Sequence, residues 1–229
     1  MEFFLPIVYS VILGVIHFFN EKIQIHQEYI RIRVISFIAG ISVTYMFLTL
    51  LPEIYRGFEI FDRVIFVSLL AGFTISHVTE KYIYQHSAPH LLKERLSVVH
   101  SVAFFLYYFF IGVILVKLSE TSSLNSVLFF LPIMFYSAVG ILSLEKIHSK
   151  IWERPVVKLL LSLSTLIGVL FADLLLGFDA VFNLLFAFVV GTFLYTALID
   201  FVPREAKGKP EYFTLGVLIY TLVIVAAFL

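Results

Sequence analysis

Residues 37–53 read FIAGISVTYMFLTLLPE, and residues 188–203 read FVVGTFLYTALIDFVP. A constant offset of 151 places Phe37 on Phe188, Gly40 on Gly191 and Pro52 on Pro203. Both are apolar runs with a small residue near the start and a proline near the end. Two membrane helices share Phe, Gly and Pro readily by composition alone; the other reading is an internal repeat. What weighs one against the other is the direction in which each copy crosses the bilayer.

The composition makes a bilayer the solvent. Of the 229 residues, 61% are hydrophobic and only 14% charged, and the mean hydropathy is +1.01. Such values lie far outside the range of ordinary soluble domains. Net charge is zero, so no basic field recruits nucleic acid, and none is expected as a partner. Without cysteine there is no disulfide framework, thiolate metal site or cysteine nucleophile, and any metal chemistry must use His and carboxylates. MEFFLPIVYSVILGVIHFF has neither a basic leading segment nor a small-residue cleavage site, and reads as a first span.

Apolar runs of spanning length predict eight helices, at about 3–19, 34–54, 62–82, 96–116, 124–145, 156–177, 180–201 and 211–229. The connections are short, and the chain reads as one all-α transmembrane domain, residues 1–229. Thirteen of the sixteen Lys and Arg fall in connections 1–2, 3–4, 5–6 and 7–8; Arg56, Arg63 and Lys117 lie on the other side. By the positive-inside rule the first side is cytoplasmic, which predicts a cell-membrane protein with both termini outside. Span 2 then runs outward and span 7 inward. The repeated stretch is inserted with opposite polarity, the signature of inverted-repeat transporters. Gly72 and Gly216, early in the following spans, extend the match to spans 3 and 8. Spans 4 and 5 remain unpaired, giving three, two and three.

Eight spans in a 3+2+3 arrangement, with spans 1–3 and 6–8 inverted, resemble the ZIP (Zrt/Irt-like) family of divalent metal transporters. FIAGISVTYMFLTLLPE is similar to that family's second span, from a small-residue pair to an LLPE ending. LLAGFTISHVTEKYIY resembles its third, and GTFLYTALIDFVPRE its seventh. These are packing motifs. The resemblance implies a ZIP-like bundle, a divalent cation such as zinc as substrate, and a homodimer as partner. The metal-bearing spans depart from the family. Where a ZIP fourth span carries His-Asn-x-x-Asp, HSVAF places His100, Ser101 and Phe104. The fifth span, PIMFYSAVGIL from Pro132 to Leu142, has neither His nor carboxylate, and Thr49 stands where many ZIPs have His. Divalent ions need several O or N ligands in one place. The expected site is therefore degenerate or relocated, and the alternative is a transport-inactive ZIP-fold subunit that binds partners or regulates.

Ionisable groups within spans are functional candidates by default. His77 and Glu80 share one face of span 3 at i, i+3. His100 lies one turn into span 4, while Glu145 and Asp200 end spans 5 and 7. These five form one layer near the cytoplasmic surface. They read either as helix-end anchors paired with Lys81, Arg95, Lys146 and Arg204, or as an inward-facing cation or proton site built on His77, Glu80, His100 and Asp200. Asp173 sits near the outer mouth with no basic neighbour in sequence, as a separate candidate cation ligand; Asp179 beside it reads as a helix cap near Asn183. His86 and His90 in the 3–4 connection read as a solvated loop, and Glu145 with His148 as the interfacial end of span 5. Tyr107 and Tyr108 with Tyr136 and Ser137 are the polar groups at mid-bilayer of the central pair, and read as interhelical packing or a narrow polar path. No His follows His148, and no nucleophile elbow or paired Gly-Asp motif occurs; no enzyme is expected.

Overall fold

The computed structural model describes residues 4–19, 27–144, 155–177, 179–196 and 208–228; among them there are helices and no strand. The helices are α1 Phe4–Phe19, α2 Glu28–Tyr45, α3 Leu51–Phe61, α4 Val64–His86, α5 Pro89–Thr121, α6 Ser123–Leu144, α7 Pro155–Leu170, α8 Ala172–Leu176, α9 Asp179–Thr196 and α10 Pro210–Phe228. Three continuous stretches, Glu28–Arg56, Val64–His86 and His90–Thr121, are long and apolar enough to cross a membrane, and five shorter apolar helices accompany them. Polarity is distributed inside out. Ser10, Ser42, Ser97, Ser126 and Ser164 are buried, while Val67, Leu70, Leu160, Leu170 and Leu222 are exposed. Small hydroxyl residues between helices and large aliphatics outside are what lipid demands, since tails are as apolar as Leu and helices associate by close approach. The fold is that of a helical, multi-pass membrane protein.

Two boundaries differ from expectation. The segment YRGFE, residues 55–59, falls in the connection expected between spans 2 and 3, yet it is helical in α3, and the chain reverses at Asp62–Arg63. Asp62 takes a φ of 50°, a left-handed conformation that a short acceptor side chain tolerates. The 3–4 loop is mostly helix as well: Pro89 opens α5 at a first-turn position, where its missing N–H is no loss.

Between α2 and α3 the helix widens into one π turn, Met46–Leu50, closed by the Leu51 N–H on the Met46 carbonyl. Pro52 follows. It has no N–H for the Leu48 carbonyl, and its ring would crowd that group in a regular helix; a π bulge gives it room. A second proline, Pro132, lies inside α6 and frees the Leu128 carbonyl. That carbonyl is taken by the Tyr220 hydroxyl of α10, which donates to it at 2.7 Å. A backbone defect in one helix thus becomes a tie to another.

The bundle is organised by three glycine-lined crossings. At α2–α10, Gly40 leaves space for the Phe213 carbonyl and Val217 amide, and Gly216 for the Phe37 carbonyl and Ile41 amide. At α4–α9, Gly191 leaves space for the Leu69 carbonyl and Phe73 amide, and Gly72 for the Phe188 carbonyl and Thr192 amide. Positions 37, 40 and 41 of the first map on 188, 191 and 192 of the second, an offset of 151. Positions 69, 72 and 73 map on 213, 216 and 217, an offset of 144. The two crossings correspond residue by residue. The third, α5–α7, uses Gly112 and Gly168.

Directions follow from cross-helix contacts. Lys209 meets Ser36 and Arg33 meets Tyr212 at one end of α2–α10, with Gly216 at Gly40 further along, so these helices run parallel. Ser68 with Leu184 and Glu80 with Tyr195 make α4 and α9 parallel too. Lys158 over Phe18 and Ser162 at Gly14 make α1 and α7 antiparallel.

Candidate functional site

Where α2, α5, α6 and α9 converge, the interior is aromatic. Tyr45 of α2 meets Phe129 of α6 edge-on at 5.7 Å and Phe193 of α9 at 6.3 Å. Phe193 in turn stacks on Tyr107 of α5 at 5.5 Å. Tyr45 is 1% exposed, and its hydroxyl has no hydrogen-bond partner among the described residues. Beside this plug, Tyr108 donates to Ser137 Oγ at 2.7 Å across α5 and α6, and the Ser137 hydroxyl donates onward to the Ile133 carbonyl. Of the hydroxyls expected of the central pair, Tyr108 and Ser137 thus pair across helices.

His77 and Glu80 are brought together on a second feature, in the C-terminal part of α4. Glu80 is half-buried and accepts the Tyr195 hydroxyl of α9 at 2.7 Å. His77, exposed, sets its ring edge-on to the same tyrosine at 5.6 Å. The preceding turn is closed by hydroxyls turned onto backbone: Ser76 donates to the Gly72 carbonyl and Thr192 to that of Phe188. Glu80 and Tyr195 cap one end of a cavity of about 510 Å³ between α4, α5 and α9. Its walls are Ile75, Leu96, Val99, Val102, Ala103, Leu106 and Phe110, with Leu185, Phe188 and Val189 opposite. Ile75, Val98, Val102 and Leu106 are exposed, so the cavity opens sideways, between helices, rather than along a central pore.

The other candidates lie elsewhere. His100 is on α5, and its side chain lies outside the described residues, as do Asp200, Glu145, His148 and the side chains of Tyr136 and Asp179. Asp173 is exposed in the first turn of α8. Its neighbour Ala172 packs with Val113 and Val116, about 20 Å along α5 from His100 at 1.5 Å per residue. It shares no site with His77 and Glu80. His86 stacks on Tyr82 at 4.2 Å, and His90 is exposed. Among the described residues, no three His, Asp or Glu side chains gather as a metal-binding group.

Two residues of interest were missed from sequence. Tyr195 lies in an apolar run, and nothing local announces a carboxylate partner 115 positions away. His17 is 7% exposed in α1, wedged against Phe104 at 4.7 Å and Tyr108 at 4.2 Å. Neither of its ring nitrogens has a partner among the described residues. The rule that flags ionisable groups inside spans would have found it. Compared with known proteins, the chain matches no protein-family model and no curated sequence.

Proposed function

We propose that the chain is an eight-span cell-membrane protein on the ZIP-like 3+2+3 plan, with spans 1–3 and 6–8 as inverted repeats and both termini outside. In function it is a transport-inactive scaffold, a partner-binding or regulatory membrane subunit. The paired glycine crossings support the repeat, because two unrelated helix pairs have no reason to keep the same six contact positions. Parallel α2–α10 and α4–α9 with antiparallel α1–α7 are the directions that eight alternating spans require.

The observation that carries the functional reading is the aromatic plug. Tyr45, Tyr107, Phe129 and Phe193 fill the space between spans 2, 4, 5 and 7, where an alternating-access path needs ligands or water. A divalent ion stripped of water finds no compensating oxygen or nitrogen set on phenyl rings. One observation favours the second reading, a divalent cation transporter with a relocated site: His77 and Glu80 meet the same Tyr195 and could be joined by His100.

Purified full-length protein reconstituted in liposomes separates the two. The expected outcome is no saturable uptake of zinc, manganese, iron(II), cadmium or magnesium, and no thermal stabilisation by any at millimolar concentration. A ligand that binds the folded state must raise its apparent stability. Saturable uptake of one ion, lost in His100→Ala, would overturn the scaffold reading.

A further inference from the structure

We propose that the side-opening cavity between α4, α5 and α9 is a binding site for one phospholipid whose head group carries a primary ammonium, with Glu80 as its anchor. The inference stands whether or not the chain moves ions.

Three properties of the cavity point to this occupant. Its polar chemistry is nearly all at one end. Ser76 and Thr192 spend their hydroxyls on helix carbonyls, whereas the Glu80 carboxylate accepts one bond from Tyr195 and pairs with no basic side chain among the described residues. A half-buried carboxylate at the edge of hydrocarbon is costly without a cation or donors. A head group with a compact ammonium supplies three donors and a positive charge; a quaternary ammonium supplies the charge without the donors.

The rest of the cavity suits an acyl chain. Leu185, Phe188, Val189 and Thr192 with Tyr195 form one face of α9, and from Leu185 to Tyr195 the helix rises about 15 Å. That is half of a hydrocarbon core of about 30 Å, hence one leaflet. The mouth is open to the exterior at Val98, Val102 and Leu106, so a lipid enters sideways without unfolding anything. A free metal ion or a soluble anion has no use for such walls.

The test uses the full chain in nanodiscs of equal phosphatidylethanolamine and phosphatidylcholine with matched acyl chains. Lipid retained after detergent exchange is counted by native mass spectrometry. The expected result is several-fold enrichment of phosphatidylethanolamine in one retained copy. In Glu80→Gln the enrichment falls to none, because the neutral amide oxygen, still taken by Tyr195, gives the ammonium N–H groups no charge-assisted hydrogen bond. Tyr195→Phe keeps the enrichment, and Val102→Trp, which fills the mouth, lowers retention of both lipids. Equal retention of the two lipids by the parent protein overturns the proposal, and so does enrichment that survives Glu80→Gln. Thermal unfolding of each variant without added lipid shows that it is folded when the count is made.

Discussion

The α2–α10 and α4–α9 crossings share a backbone and differ in what covers them. At the first, α6 lies against α2, and Tyr220 reaches from α10 to the Leu128 carbonyl of α6. In the 3+2+3 reading, the counterpart of α6 is α5, which ought to cover α4–α9 in the same way. Instead α5 places its Gly112 face against Gly168 of α7, and a cavity of about 510 Å³ remains between it and α4–α9. The side chains follow the cover. With the offsets of 151 and 144, Tyr195 corresponds to Thr44, Glu80 to Ile224 and Ser76 to Tyr220. Ile224 is buried, and Thr44 donates to the Gly40 carbonyl of its own helix. One crossing is sealed, with buried Ile224 at the position of the carboxylate; the other carries the carboxylate and the opening. Close helix approach is what the two share, and the chemistry lies where they part.

The most damaging way to break the comparison is at the shared backbone. In Gly40→Leu the new Cβ falls on the Phe213 carbonyl, and in Gly72→Leu on that of Phe188. Neither carbonyl belongs to a flexible side chain that can swing aside. Overpacking costs typically 1–3 kcal/mol and more where the backbone must move, so each variant is expected to lose about 3 kcal/mol and accumulate poorly. Thermal unfolding in micelles measures it. If one substitution is tolerated and the other is not, the crossings are not equivalent.

A smaller effect is expected where the covers differ. Tyr220→Phe leaves the Leu128 carbonyl with neither the absent Pro132 N–H nor a hydroxyl, buried where no water compensates. An orphaned buried acceptor costs about 2 kcal/mol. Ser76→Ala, at the corresponding position, removes a bond within one helix turn and is expected to cost less than about 0.5 kcal/mol. Equal losses in the two variants would mean that Tyr220 does not serve as the tie between α10 and α6.

These contrasts also explain what was legible in the sequence. The apolar runs and the offset of 151 could be read directly, because lipid imposes length and polarity on every span and close approach imposes glycine. The end of α3 could not. Gly57 amid YRGFE resembles a turn, but Ile54, Phe58 and Phe61 recur at helical spacing and the helix continues to Phe61. His77 and Glu80 were legible as ionisable groups in a hydrophobic run. Their partner Tyr195, the tie from Tyr220 to Leu128 and the sideways cavity were not. Each depends on which helix lies alongside, and no local pattern encodes that.

The finest contrast concerns Tyr195 itself. Its hydroxyl joins α9 to α4 through Glu80, while Thr44 at the corresponding position bonds only its own helix. Interhelical hydrogen bonds in membrane bundles average about 0.6 kcal/mol, so Tyr195→Phe is expected to lose about that much, and Thr44→Val next to nothing. A double-mutant cycle isolates the bond: Tyr195→Phe is repeated in a Glu80→Leu background, where no acceptor remains. If the hydroxyl acts through the carboxylate, its removal there costs nothing further, and the interaction energy equals the single-variant loss. An undiminished loss in the Glu80→Leu background would instead mean that the hydroxyl acts through a group other than Glu80, since phenylalanine keeps the ring against Phe73 at 5.5 Å and His77. Glu80 would then add nothing to the α4–α9 crossing, which keeps Ser68 on the Leu184 carbonyl, and would be left wholly to the cavity.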